Sequence, residues 1–78
     1  MMFVELKAKK YSRGRYIPYK VLLAIDDISM IIQCTDNRDL TNVVTKDGKV
    51  HTIAEKYEDV AKKIRDAERR QNERTSAT

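Results

Sequence analysis

One stretch of the chain has basic and aromatic side chains close enough together to bind a polyanion. Residues 7–20 read KAKKYSRGRYIPYK, with six lysines and arginines, three tyrosines and no carboxylate. Cationic side chains neutralise phosphates and tyrosine rings stack on bases, so the pattern is typical of single-strand nucleic-acid contacts. The candidate contact residues for a nucleic acid or an acidic partner are Lys7, Lys9, Lys10, Tyr11, Arg13, Arg15, Tyr16 and Lys20.

The same stretch has an alternative interpretation as a solvated hairpin. Lysines on an edge strand prevent edge-to-edge aggregation, and the tyrosines would pack on the sheet. Between residues 21 and 48, five aspartates stand against Arg38 and Lys46, and this acidic middle would oppose a nucleic-acid strand. On the sequence alone both interpretations stay open.

Other residue types that could do chemistry lack the spacing that the chemistry requires. Four aspartates lie near one another in the sequence, at Asp26, Asp27, Asp36 and Asp39. They do not alternate as in a calcium loop, so they predict caps and turns. Cys34 and His51 would need contact and an orienting third group to act as a nucleophile pair, and too few ligands remain for zinc. The sequence predicts no enzyme, no metal and no cofactor.

Length and composition predict one small domain. The chain has 78 residues, a net charge of +4 and one cysteine, which excludes an intrachain disulfide. No apolar run approaches the ~20 residues that span a bilayer, and no secretory signal precedes the first strand. We therefore expect a cytoplasmic protein without a membrane partner.

Hydrophobic alternation predicts that a hairpin presents the basic stretch. Val4, Leu6 and Ala8 alternate with polar residues, which is the period of a half-buried strand. Gly14 marks a turn, and residues 16–25 form the second strand. Pro18 cannot donate to a ladder, so it predicts an edge strand or a later strand start.

Three further short strands follow, although an amphipathic helix over residues 21–33 is the competing interpretation. The strands cover residues 28–34, 40–45 and 50–52, and Asp26-Asp27 precedes them in a helical turn. Asp47-Gly48 predicts a two-residue type I′ hairpin between the last two strands. In the strand of residues 28–34, the side chains predicted to share one face are Ile28, Met30, Ile32 and Cys34.

A helix ends the pattern. Thr52 and Glu55 have the spacing of a capping box, in which each side chain bonds the other's backbone amide. The apolar stripe of this helix consists of Ile53, Tyr57, Val60, Ala61 and Ile64. After Ala67 the stripe stops, so we expect a single domain over residues 1–70, fraying from about Arg70 and a polar tail over residues 71–78.

The predicted fold class is α+β: an antiparallel sheet of four to five strands, open or partly rolled, with one C-terminal helix on one face. One helix covers only one face of a sheet. Apolar residues nevertheless point to both faces, which indicates that a partner buries the second face. The candidate interface residues are Leu22, Met30, Ile31 and Ile32.

Residues 21–64 resemble a known family. The segments IDDISMI (25–31), VVTKDGKV (43–50) and IAEKYEDV (53–60), followed by Ile64, are similar to the small flagellar and swarming-motility proteins of the FlbD type. In that family a DLI-x-x-I segment precedes a glycine-turn hairpin, and V-x-E-S-x-x-E-V opens the final helix. The resemblance implies the hairpin-to-helix fold and a role in motility. The basic N-terminal hairpin, the loop at 34–40 and Lys56-Tyr57 depart from the family pattern.

Taken together, these patterns predict a small non-catalytic binding or regulatory module. It would act through protein–protein contacts on an exposed sheet face or edge and would self-associate as a homo-oligomer. The alternative is a nucleic-acid-binding module that uses the hairpin of residues 7–20.

Overall fold

A computed structural model describes residues 2–76 and shows a five-stranded antiparallel sheet followed by one helix. The elements in chain order are β1 (Phe3–Ser12), β2 (Arg15–Ala24), a 3-10 turn (Ile25–Asp27), β3 (Ile28–Gln33), β4 (Thr41–Thr45), β5 (Val50–Ile53) and α1 (Tyr57–Ser76). The predicted α+β class is confirmed, and the competing helix over residues 21–33 is excluded.

The sheet is open but strongly curled, because its two edge strands are neighbours in the chain. The strand order is β2-β1-β5-β4-β3, so β2 and β3 lie at opposite edges. The edges of a flat five-stranded sheet would be about 19 Å apart, whereas a three-residue 3-10 turn advances the chain by only about 6 Å. Two bonds hold the resulting corner: the Ile25 amide donates to the Met2 carbonyl (3.0 Å), and the Lys46 amide donates to the Asp27 carbonyl (2.8 Å).

The core lies between the inner face of the sheet, on which α1 packs, and one stripe of the helix. Val60, Ala61 and Ala67 of α1 are buried there, and Tyr57 and Ile64 are half-buried, as the helical spacing predicts. Ile53, predicted in the same helical stripe, lies in β5 instead. The helix contacts β1, β3 and the 3-10 turn. The core cluster consists of Val4, Leu6, Ala8, Ile25, Val43, Ile53, Val60 and Ala67.

The predicted capping box at Thr52 and Glu55 is wrong, because both residues precede the helix. The amide of Val60 donates to the carbonyl of Lys56 (3.0 Å), so α1 begins after Lys56. Thr52 lies in β5, and its hydroxyl donates to the side chain of Asn42 (3.2 Å). Since β5 is the central strand, bonded to β1 on one side and β4 on the other, its backbone cannot turn into a helix there.

Glu55 instead ties the sheet to the helix. Its carboxylate accepts from the backbone amide of Lys7 (3.0 Å) and from the ammonium of Lys63 on α1. Its carbonyl accepts from the buried Thr41 hydroxyl (2.8 Å). Burial disfavours the charged form of Glu55, but the bonds from Lys63 and Lys7 outweigh it and hold the pKa of this carboxyl below its ordinary value.

The predicted type I′ turn at Asp47-Gly48 is wrong, and that turn geometry occurs at the other hairpin. The Gly48 amide donates to the Thr45 carbonyl (2.9 Å), and of these turn residues Gly48 alone has a positive φ (+87°). This is a four-residue turn followed by a glycine bulge. Between β1 and β2, Arg13 (φ +51°) and Gly14 (φ +80°) form the two-residue turn with both φ values positive.

The described part of α1 is helical to Ser76. Its backbone therefore continues past Ala67, the last buried residue of the stripe, and past Arg70, where the sequence predicts fraying. The end of the predicted tail, residues 77–78, lies outside the described residues.

We predict that Glu55→Gln lowers the free energy of unfolding by about 1 kcal/mol at neutral pH, because the ionic bond to Lys63 is lost. The pKa of Glu55 is lowered on folding, so its contribution is complete above the unfolded-state pKa of about 4.3 and is lost as the pH falls through the lower folded-state pKa. Urea unfolding at neutral and acidic pH measures this. The difference in unfolding free energy between wild type and Glu55→Gln should become smaller as the pH is lowered.

The matched control is Glu68→Gln, at an exposed position on the same helix. We expect it to change the free energy of unfolding by less than about 0.5 kcal/mol. Equal effects of the two substitutions would contradict the role given to Glu55.

Candidate functional site

The outer face of the sheet, opposite α1, carries a row of exposed apolar side chains. Met30, Val44 and Val50 lie directly opposite one another across β3, β4 and β5. Met30 is 51% exposed and Val50 is 59% exposed, while Val44 between them is half-buried. Ile32, 47% exposed, extends the row along β3. We call Met30, Ile32, Val44 and Val50 the outer patch.

A β-bulge decides which residues of β3 join this patch. Ile28 pairs with Thr45 and Met30 pairs with Val44, so Ser29 is an extra residue in β3. An extra residue reverses the alternation that follows it. The predicted common face of Ile28, Met30, Ile32 and Cys34 is therefore wrong, since Ile28 packs against the core and Met30 and Ile32 do not.

The bulge also corrects one of the predicted interface residues. Ile31 pairs with the buried Val43 and packs against the core, so it is not part of the exposed face. Leu22 is 63% exposed, as predicted, but it lies on β2 at the other edge of the sheet, opposite Glu5. Of the four predicted residues, the structure brings only Met30 and Ile32 together.

The sequence singled out neither Val44 nor Val50. The signal was present in Val43-Val44, because two consecutive apolar residues in a strand must point to opposite faces. Val43 is buried under α1, so Val44 faces outward, and Val50 pairs with it.

The basic hairpin is confirmed as a structural element, and its cations divide between two faces. Lys7 lies directly opposite Lys20, and Tyr11 lies opposite Tyr16. The Lys9 ammonium lies 4.1 Å from the centroid of the Tyr16 ring, and the Tyr11 and Tyr16 rings meet edge to face with centroids 5.3 Å apart. These contacts occupy part of the tyrosine surface that could stack on bases.

The remaining cations of the hairpin point elsewhere. Lys10 follows Lys9 in β1 and so faces the opposite side, where it pairs with Ile17. Arg13 and Arg15 lie at the turn and are exposed. The structure therefore joins Lys7, Lys9 and Lys20 on one face and does not add the other three cations to it.

A groove of about 600 Å³ separates the hairpin tip from the β3–β4 loop. Its lining includes Lys9, Lys10 and Tyr19 of the hairpin and Cys34 and Asp36 of the β3–β4 loop. An acidic residue thus shares the groove with the lysines, which would weaken the attraction of a nucleic-acid backbone into it.

Cys34 and His51, the candidate nucleophile pair, do not lie in a common site. Cys34 lies in the groove at the hairpin tip, whereas His51 lines a different groove that includes Phe3 and Leu22. Over residues 2–76, no group of three or more histidines, cysteines or carboxylates is placed to hold a metal ion. Within the same residues, the one long helix is too polar to cross a membrane.

No protein-family model matches the chain, and no curated protein or solved structure matches it either. The resemblance of residues 21–64 to FlbD-type proteins therefore stays a prediction.

The direction in which the side chains of β3 point can be tested by mutation. We predict that Ile31→Asp costs more than about 3 kcal/mol of unfolding free energy, because it places a charge against the core. Ile32→Asp, one residue further on, should cost less than about 1 kcal/mol, because this side chain is half-exposed on the outer face. Thermal and urea unfolding measure both. Similar costs, or the reverse order, would contradict the facing imposed by the bulge.

Proposed function

We propose that this chain is a non-catalytic protein-binding module that uses the outer patch as its contact surface. The observation that carries the proposal is the contiguous row of Met30, Val44 and Val50 with Ile32, exposed on the face that α1 does not cover. Exposed apolar side chains that lie next to one another on a small domain indicate a surface that a partner buries.

The surroundings of the patch support this role. The next row across the sheet is Ile32, Asn42 and Thr52, and the Thr52 hydroxyl donates to the Asn42 side-chain oxygen (3.2 Å). These polar groups partly satisfy each other at the border of the patch. An apolar centre with a polar border is the usual arrangement of a protein interface.

Two further points belong to the proposal. The resemblance of residues 21–64 to FlbD-type proteins supports a setting in motility. A reducing compartment such as the cytoplasm suits the unpaired thiol of Cys34.

The proposal predicts that Val50→Asp weakens binding to a partner protein by more than about tenfold. A carboxylate at this exposed position of the patch would be desolvated in the complex without a counter-charge. Tagged protein is used in pull-downs from a lysate of the producing cells, and purified protein is examined by sedimentation. The matched control is Thr35→Asp, with the same charge change in the exposed β3–β4 loop. Equal binding and equal association of Val50→Asp and wild type would overturn the proposal.

A second candidate function is nucleic-acid binding by the hairpin, and one observation favours it. Lys7 and Lys20 lie directly opposite each other on adjacent strands. Like charges at directly opposite positions destabilise a sheet, and a bound anion would relieve this repulsion. The absence of any carboxylate between residues 7 and 20 adds to the local attraction for phosphates.

This second candidate predicts opposite effects of Lys20→Glu on stability and on binding. The variant should gain about 0.5 kcal/mol of unfolding free energy, because the introduced carboxylate would pair with Lys7. It should bind a single-stranded oligonucleotide more weakly and with a shallower salt dependence. Fluorescence anisotropy over a salt series measures the binding, and Lys62→Glu on the exposed face of α1 is the control. No oligonucleotide binding by wild type at low salt would dismiss this candidate.

A further inference from the structure

The two edges of the sheet are protected to very different extents. β2, at one edge, carries Arg15, Pro18 and Lys20, which are the residue types that discourage strand addition. β3, at the other edge, reads ISMIIQ and contains no charge and no proline. The bulge at Ser29 interrupts only its beginning, so residues 30–33 form a short regular edge.

The backbone groups of β3 that point away from β4 have no hydrogen-bond partner among the described residues. β3 pairs with β4 alone, and no other described backbone bond involves residues 29–33. None of the described side-chain hydrogen bonds reaches these residues either. The free donors and acceptors of β3 are therefore available to an added strand, which is a common way of binding an extended segment.

We propose that β3 pairs with β3 of a second copy of this chain, antiparallel and centred on Ile31. This inference rests on the proposed function and adds that a second copy of the chain binds at β3, where the outer patch meets the edge of the sheet. Around a two-fold axis at Ile31, Met30 of each copy lies opposite Ile32 of the other. Both side chains face outward and are about half-exposed, so the pairing joins the two outer patches into one apolar surface.

The sequence of β3 explains why a second copy fits. The pairing places an apolar residue opposite an apolar residue at both Met30–Ile32 positions, and Ile31 lies opposite its own copy on the inner side. No charge lies in β3, so two identical strands meet without electrostatic repulsion. A shift of the register by one residue would place inward and outward side chains opposite each other, which disfavours it.

The inner side of β3 borders a groove under α1. A groove of about 230 Å³ runs between β3 and α1 and is lined by Ile28, Ile31, Ile64, Arg65 and Glu68 among others. Its helical wall is apolar at Ile64, and Arg65 and Glu68 carry opposite charges. The helical wall of the groove therefore carries no net charge.

Disulfide crosslinking tests which residues of the two β3 strands lie opposite each other in the proposed dimer. Directly opposite residues of an antiparallel pair have Cα atoms about 4.5–5.5 Å apart, within disulfide reach, whereas diagonal neighbours are about 7–8 Å apart. Met30→Cys and Ile32→Cys are prepared separately in a Cys34→Ser background, together with Leu22→Cys as an exposed control on the other edge. Each is oxidised alone, and the first two are also oxidised as an equimolar mixture.

We expect the mixture to form a crosslinked dimer at least about tenfold faster than either variant alone, and Leu22→Cys to stay uncrosslinked. Circular dichroism confirms that each variant is folded. Sedimentation of wild type should show the mass doubling with concentration. A wild type that stays monomeric at its highest soluble concentration, or a mixture that crosslinks no faster than the single variants, overturns this inference. Either result leaves the proposed function to its own test. That test asks whether Val50→Asp fails to capture a partner protein other than this chain.

Discussion

The three-residue connection between β2 and β3 is the constraint on which the rest of the structure depends. Because it joins the two edges of a five-stranded sheet, the sheet must curl, and the curl makes an inner face narrow enough for one helix to fill. The described residues contain one helix, and one helix covers only one face of the sheet. The core and the exposed outer patch are therefore two consequences of the same short turn.

Two residues then determine how the faces are used. Ser29, as the extra residue of a bulge, turns Ile31 toward the core and Met30 and Ile32 toward the outside. Glu55 holds α1 against the sheet through bonds to Lys7 and Lys63. The first determines which side chains of β3 are exposed on the outer face, and the second keeps the inner face covered.

Local sequence patterns were sufficient to predict the strands and the helix. They were not sufficient to predict where the helix begins or which way the side chains of β3 point. Alternation and helical spacing correctly predicted the N-terminal hairpin, the later strands and the stripe of Val60, Ala61 and Ile64. The capping box failed because ladder bonds on both sides of β5 outweigh a local preference for a helix start. The expected exposure of Ile31 was wrong because a single bulge, which leaves no mark in the hydrophobic pattern, reverses every later side chain of β3. Such features depend on pairing between strands that are distant in the chain.

The narrow junction between β1 and β5 bears on the order in which the chain folds. Ala8 and Ile53 form the one ladder pair between these strands in the described sheet, and the nearby bond from Lys7 to Glu55 joins residues 48 positions apart. The β1–β2 and β4–β5 hairpins are local and form in microseconds, whereas this junction must first close a long loop. We therefore expect two preformed halves that dock last at Ala8 and Ile53. Until they dock, the unpaired side of β1 is an additional site at which newly made chains could pair wrongly.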